Sequence, residues 1–282
     1  MIRREEILNP GKEYRVDVRW WLAEGFHTDK TLKKDIAMLD ESGFGAIEFL
    51  AMEEPGADSA LYGWGSEEWV HDSGTVIEET TKRGMGFSMT SGTNWANANL
   101  ISINPDDKAA AKELDYVTET LRAGERRSGA LPKPVLVQDM VHEQTLVAVV
   151  AARILPDRNG EKMLDAHTVN LTQRVEKDSL SLSFQAPEDG DYLIFYFWLH
   201  GTGQIARPSV STSYTINYID RYGVEAFKDY WNSHVLTESV RKNIEKNGRG
   251  MMYMDSLELS TFGMGGQFWG YHFLEEFEKR RG

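Results

Sequence analysis

The feature that constrains this 282-residue chain most is a repeated change of period, from strand-like to helix-like, at intervals of roughly 40 residues. "YRVDVRWWL" (14–22) reads as a strand and "HTDKTLKKDIAMLDESGFG" (27–45) as a helix. In that helix Thr28 is the N-cap, Leu32, Ile36 and Leu39 form the apolar stripe, and Gly43 is the stop. "GAIEFLAM" (45–52) is a second strand, and "SEEWVHDSGTVIEETTKRG" (66–84) a helix capped by Ser66 and ended by Gly84. "MGFSMTSG" (85–92) is a third strand, and "NPDDKAAAKELDYVTETL" (104–121) reads as a third helix. Strands alternating with helices in this way predict parallel βα units.

The pattern then breaks. "TLVAVVAARIL", "HTVNLTQRV", "SLSLSFQAP" and "DYLIFYFWLHG" are strand-like, and turn signals "PDRNGEK", "EKDS" and "APEDGD" separate them. Residues 126–212 are therefore expected to form an inserted antiparallel β domain. The βα pattern resumes over 213–282. "YIDRYGVEAFKDYWNSHV" and "LTESVRKNIEKNG" read as helices, "RGMMYMD" (249–255) as a buried strand, and "GQFWGYHFLEEFEKRRG" as a last helix. Four strands can be counted, near 15–22, 44–51, 84–90 and 250–255. Two architectures fit: an open doubly wound sheet, or a (β/α)8 barrel of which 1–125 and 213–282 supply a part. A whole barrel needs about 250 residues, and the insert takes roughly 85 of the 282, so a piece of a larger enzyme is expected.

Composition narrows the partners. Net charge is -13, which argues against a nucleic-acid backbone or an anionic membrane as the main partner. There are no cysteines, so disulfides, thiolate catalysis and thiolate zinc sites are excluded. "MIRREEILNPGKEYRVDV" lacks an apolar core segment, so no signal peptide is read and a cytoplasmic location is expected, with export left open for a chain that is a piece of a larger protein. No apolar run approaches the ~20 residues of a membrane span. Homo-oligomerisation is left open.

In either parallel architecture, active sites gather at the carboxyl ends of the strands. Those ends carry Arg19, Trp20, Trp21, Glu24 and His27; Glu48, Glu53 and Glu54; Ser91, Asn94, Trp95, Asn97 and Asn99; and Asp255, Ser256 and Glu258. Carboxylates, amides and indoles without lysine suit a carbohydrate: indole faces stack on sugar C–H surfaces, and glycosidic cleavage needs two flanking carboxyl groups. Glu258 and Asp255 are the catalytic candidates. Trp20, Glu48, Asn94, Trp95, Asn97 and Ser256 are the substrate-binding ones. Glu48 alternates with Ile47 and Phe49, so on a buried strand it must be paired or face a barrel interior. Trp20 and Trp21 point to opposite sides of their strand, so at least one belongs to the core. His27 and His71 read as surface or helix-start residues. Glu258 and Trp95 are expected to open into one shared hollow. No phosphate loop is found, because "GMGFSMTSG" lacks the lysine and the spacing.

Order and content together resemble the catalytic barrel of glycoside hydrolase family 106, the α-L-rhamnosidases. The resemblance rests on "VRWWLAEGFHTDKTLKKDIAMLDESGFGAIEF", on "YGWGSEEWVHDSGTVIEETTKRGMGFSMTSGTNWANANL", on the insert in the same place, on the return through "YTINYIDRYGVEAFKDYW", and on "MDSLEL". It implies a (β/α)8 barrel, inverting hydrolysis of terminal α-L-rhamnosides, two catalytic glutamates and a calcium ion in the site. Only Glu258 carries over, as a catalytic or calcium-contacting carboxylate, with Asp255 beside it. Two rival functions remain: a carbohydrate-binding protein or inactive fragment without catalysis, and an isomerase or aldolase acting on a free sugar. The Schiff-base aldolase drops out for want of a strand-end lysine.

Overall fold

A computed structural model describes residues 4–23, 25–94, 98–158, 161–207, 209 and 211–282. The fold is mixed α/β and divides into two compact units, each built from separated stretches of chain. Its main elements, in chain order, are β1 (Asp17–Ala23), α1 (Asp29–Glu41), β2 (Ala46–Met52), α2 (Glu67–Lys82), β3 (Gly86–Thr90), β4 (Lys112–Leu121), β5 (Arg126–Ala130), β6 (Gln144–Arg158), β7 (Glu161–Asn170), β8 (Ser181–Gln185), β9 (Tyr192–Gly201), α3 (Arg221–Tyr230), α4 (Glu238–Asn247), β10 (Gly250–Tyr253), β11 (Gln267–Trp269) and α5 (Phe273–Arg281). Among the described residues no helix is long and apolar enough to cross a membrane.

The first unit comprises 1–104, 108–110 and 204–259. Its strands form a parallel sheet in the order β1-β2-β3-β10. The helices begin where local chemistry makes them begin. Thr28 accepts from the Thr31 amide while the Thr31 side chain accepts from the Thr28 amide, a reciprocal capping box at α1. Ser66 accepts from the Trp69 amide at 3.1 Å and starts α2. Gly248, with φ near +66°, ends α4 in the left-handed conformation that glycine adopts without steric cost. One face of the sheet packs on the helices: Ile47, Phe49, Phe87 and Met89 meet Ile36, Val76, Ile77 and Val240 in a single buried cluster. Ile244 of α4, and Leu236 just before it, pack against this cluster. Trp64, fully buried, stacks on Tyr230 at 5.2 Å between ring centroids.

The opposite face is buried over the central strands, at Ala46, Leu50, Ser88 and Thr90, and open along the edge strands. Along β1 the exposed positions are 17, 19 and 21, and the half-buried ones 18, 20 and 22. Met251 and Met252 of β10 are also exposed, so the expectation of a buried fourth strand is corrected: β10 is a sheet edge. Parallel sheets normally bury both faces and read as continuous apolar runs; the polar alternation of β1 marks a face of another kind.

The second unit comprises 105–107, 111–203 and 260–282. It contains an antiparallel sheet in the order β11-β4-β9-β6-β7 and a β5-β8 pair. Tyr192, Ile194, Tyr196 and Trp198 of β9 alternate into its core with Val149, Ala151 and Phe184. The helix expected over 104–121 is corrected here. Residues 112–121 form β4, paired along their full length with β9. The alanine run before them suggests a helix, but Val117, Thr118 and Thr120 are β-branched, and ten cross-strand pairs override local propensity. The last segment also differs from expectation. Residues 267–269 are strand, α5 starts only at Phe273, and the stretch from Ser260 onward clusters with the antiparallel sheet. The cause lies in β4. Glu113 Oε2 accepts from the amides of Phe262 and Gly263 at 2.9 and 2.8 Å, and Asp115 Oδ1 from that of Gly265 at 3.0 Å. Two buried carboxylates thus capture the turn that leads into β11.

Lys112, almost wholly buried, donates to the Pro105 carbonyl at 2.6 Å. Burial lowers its pKa from 10.5 to about 8, against the opposing pull of Asp106, Asp107 and Glu143. The unfolded chain keeps this proton to a higher pH than the folded one, so stability rises with pH between about 8 and 10.5. Relative to Lys112→Met, the wild-type chain is expected to gain roughly 3 kcal/mol across that window. Urea unfolding at a series of pH values reads the difference; parallel curves for the two proteins would contradict it.

Candidate functional site

The open face of the parallel sheet carries the charged groups. Register places Arg19 opposite Glu48, and Glu48 opposite Ser88, and all three side chains share a face because strand side chains alternate. Tyr253 ends β10 and Asp255 follows two residues later. Arg19 Nε lies 2.6 Å from Glu48 Oε1, and its Nη1 lies 3.4 Å from Asp255 Oδ2. Its Nη2 donates to the Tyr253 hydroxyl, and the guanidinium carbon stands 4.8 Å over the Tyr253 ring.

These contacts join the two edges of the sheet. β1 and β10 are its two edges, separated by β2 and β3. Were the sheet flat, three interstrand spacings would put them roughly 14 Å apart. The long side chains of Arg19 and Tyr253 meet over β2 and β3 on this face. This face holds two carboxylates bridged by one guanidinium. Burial raises the Glu48 pKa above the ordinary carboxylate value, Arg19 pulls it back down, and Asp255 and Asp17 add to the rise. Glu48 is mostly buried, whereas about half of the Asp255 side chain is exposed.

The other sequence candidates are distributed as follows. Trp20 packs against the helix-side core, because its side chain is turned opposite to Arg19; Trp21 takes the open face and is 55% exposed. Asn94 is buried and donates from Nδ2 to the Arg207 carbonyl at 2.9 Å. Ser256 donates to Glu258 Oε1 at 2.7 Å, and the Glu258 carbonyl accepts from Gln204 Nε2 at 2.5 Å; both Ser256 and Glu258 are exposed. Trp95 and Asn97 lie outside the described residues, and with them the hollow expected between Glu258 and Trp95. Arg19 and Tyr253 are the members that sequence reasoning undervalues. The only signal for them is an arginine at the in-register position beside Glu48, and that register is not visible until the strands are paired.

Compared with solved structures, the chain is similar to a rhamnosidase from Novosphingobium sp. PP1Y. The identity is 12% and the TM-score 0.71, over 98% of this chain and 41% of that one. At that identity the likeness is one of fold. This chain spans about two fifths of the length of that enzyme. No family model matches the chain, and no curated protein does.

Replacing Arg19 by methionine leaves Glu48 without its countercharge in a mostly buried position. The expected cost is about 1–3 kcal/mol where Glu48 is ionised. It should shrink as pH falls and the carboxyl takes up its proton. The difference in unfolding free energy between wild type and Arg19→Met, measured at pH 4 and pH 8, should be larger at pH 8. A larger difference at pH 4 would reverse the assignment.

Proposed function

We propose that this chain is part of a glycoside hydrolase of the α-L-rhamnosidase kind, that its curled parallel sheet corresponds to half of a (β/α)8 barrel, and that the concave face receives a terminal sugar. The observation that supports this most is the pair of carboxyl groups, Glu48 and Asp255, drawn to one guanidinium on the open side of a parallel sheet. The fold likeness to a rhamnosidase supports it independently.

In this reading Asp255, at the carboxyl end of β10 and half exposed, is the carboxylate nearest to solvent and acts as base. Glu48, whose pKa burial raises, holds a proton more readily and acts as acid toward the leaving oxygen. Inversion requires carboxyl groups about 6.5–9.5 Å apart so that water fits between sugar and base. Arg19 orients both groups, and Trp21 offers an exposed indole for the sugar's apolar face. Glu258 keeps a place as the carboxylate implied by the resemblance, on an exposed stretch beside Ser256. Trp95 and Asn97 keep theirs as contacts to the sugar. The resemblance also implies calcium at Glu258. There Glu258 Oε1 accepts from the Ser256 hydroxyl and the Glu258 carbonyl from Gln204 Nε2, oxygens of the hard kind that calcium takes.

The test is turnover of an aryl α-L-rhamnoside by the 282-residue chain and by Asp255→Asn, Glu48→Gln and Glu258→Gln, with circular dichroism to confirm folding. Asp255→Asn and Glu48→Gln should each lose at least 100-fold in kcat. If both keep the wild-type rate, the pair is not the catalytic one. If the chain binds rhamnosides by calorimetry but no protein turns them over, the rival reading of a carbohydrate-binding unit replaces this one.

A further inference from the structure

The loop from β1 to α1 holds a backbone shape that packing does not account for. Gly25 has φ near +112° and Phe26 φ near +61°. Among the described residues, Phe26 and Leu180 are the non-glycine positions with positive φ. There Cβ is crowded, and a bulky side chain is under strain. A ring buried in the core could offset this, but Phe26 is 67% exposed. Its neighbours Gly25 and His27 line a cavity of about 20 Å³ with Phe49, Tyr62 and Trp69. The residues on either side thus turn inward, and the phenyl ring stands in solvent.

The loop is braced in this shape. The Ala23 carbonyl accepts from the Gly25 amide and from His27 Nε2, each at 3.0 Å. His27 Nδ1 faces Asp72 Oδ2 at 3.2 Å and ties the loop to α2. A second ring flanks the first. Tyr62 closes the helical turn Ser59–Tyr62, between β2 and α2. It lies so near Gly25 that a Cβ added there would stand 2.9 Å from Tyr62 Cγ, so only glycine admits it. The Phe26 and Tyr62 ring centroids are 6.0 Å apart, with the planes tilted by 41°. Both rings belong to segments that follow the carboxyl ends of neighbouring parallel strands, where ligands of such sheets bind.

We propose that Phe26, flanked by Tyr62, stacks on the leaving group of the glycoside, the ring attached to the terminal sugar. This rests on the sugar-cleaving reading of the Arg19–Glu48–Asp255 face. Arg19 lies four residues before the end of β1 and Phe26 three residues after it. At about 3.3 Å per strand residue, Ala23 alone is roughly 13 Å beyond Arg19. A terminal sugar held at the charged group therefore leaves the rim to whatever it is linked to. Stacking needs a flat apolar face, supplied by an aryl group or by the C–H side of a second sugar. Backbone strain that keeps an aromatic ring in solvent lowers stability and gains no core packing. Strain of this kind is retained where the side chain meets a ligand.

The experiment is calorimetry on the 282-residue chain with three ligands that are not cleaved: L-rhamnose, S-linked 4-nitrophenyl α-L-rhamnoside, and an S-linked disaccharide ending in α-L-rhamnose. Phe26→Asn removes the ring and keeps a residue that tolerates positive φ. It should weaken one or both S-linked ligands about 3–10-fold more than it weakens L-rhamnose; the ligand affected identifies the leaving group as aryl or sugar. Phe26→Trp should keep the wild-type preference. The urea midpoint of Phe26→Asn should not fall, because the ring buries little and the strain is relieved. A lower midpoint with all three affinities reduced alike would make Phe26 structural and overturn the proposal. Unchanged affinities in Phe26→Asn would overturn it and leave the sugar-cleaving reading standing. If the wild-type chain binds none of the three, that reading falls, and the role of Phe26 with it.

Discussion

The first unit depends on one arginine that joins the two edges of a sheet. Arg19 reaches from β1 past two intervening strands to Tyr253 and Asp255, and holds Glu48 on the way. One face buries an apolar layer under helices, and the other brings Arg19, Glu48 and Asp255 together. Charges on the inner face are tolerable because they neutralise one another in part: one guanidinium between two carboxyl groups leaves a single net negative charge rather than two.

The two faces also divide the aromatic residues. Trp20 and Trp21 are chemically alike and adjacent, yet one supports the helix layer and the other lines the open side. A one-residue slip in β1 would exchange them and would carry Arg19 into the apolar core. The β1–β2 register, Arg19 against Glu48, guards against this, since a buried and unpaired guanidinium is far costlier than a displaced indole.

Much of the parallel unit is legible in the amino-acid sequence alone. Period, caps and stops in 27–45 and 66–84 are local signals, and α1 and α2 follow them, down to Thr28 and Ser66 as caps. The inward placement of Glu48 is legible from its alternation with Ile47 and Phe49. What local signals do not carry is anything decided by distant pairing. Residues 112–121 look helical alone and become a strand because β9 and β11 flank them. The exposure of β10 follows from its place at an edge, which no apolar run reveals. The pairing of His27 with Asp72 joins positions 45 residues apart and has no local signature. Arg19 is visible as a residue, but not as the group on which two carboxyls converge.

The capture of the 262–265 turn by β4 bears on the order in which the chain can mature. Glu113 and Asp115 reach amide donors about 150 positions downstream. While the polypeptide emerges from the ribosome, the strands from 112 to 201 are complete long before those donors exist. Until then the two carboxylates must stay hydrated, and the sheet cannot seal around them. Final closure of this unit therefore waits for the segment that begins at Ser260, as expected where contacts of long sequence separation limit the rate.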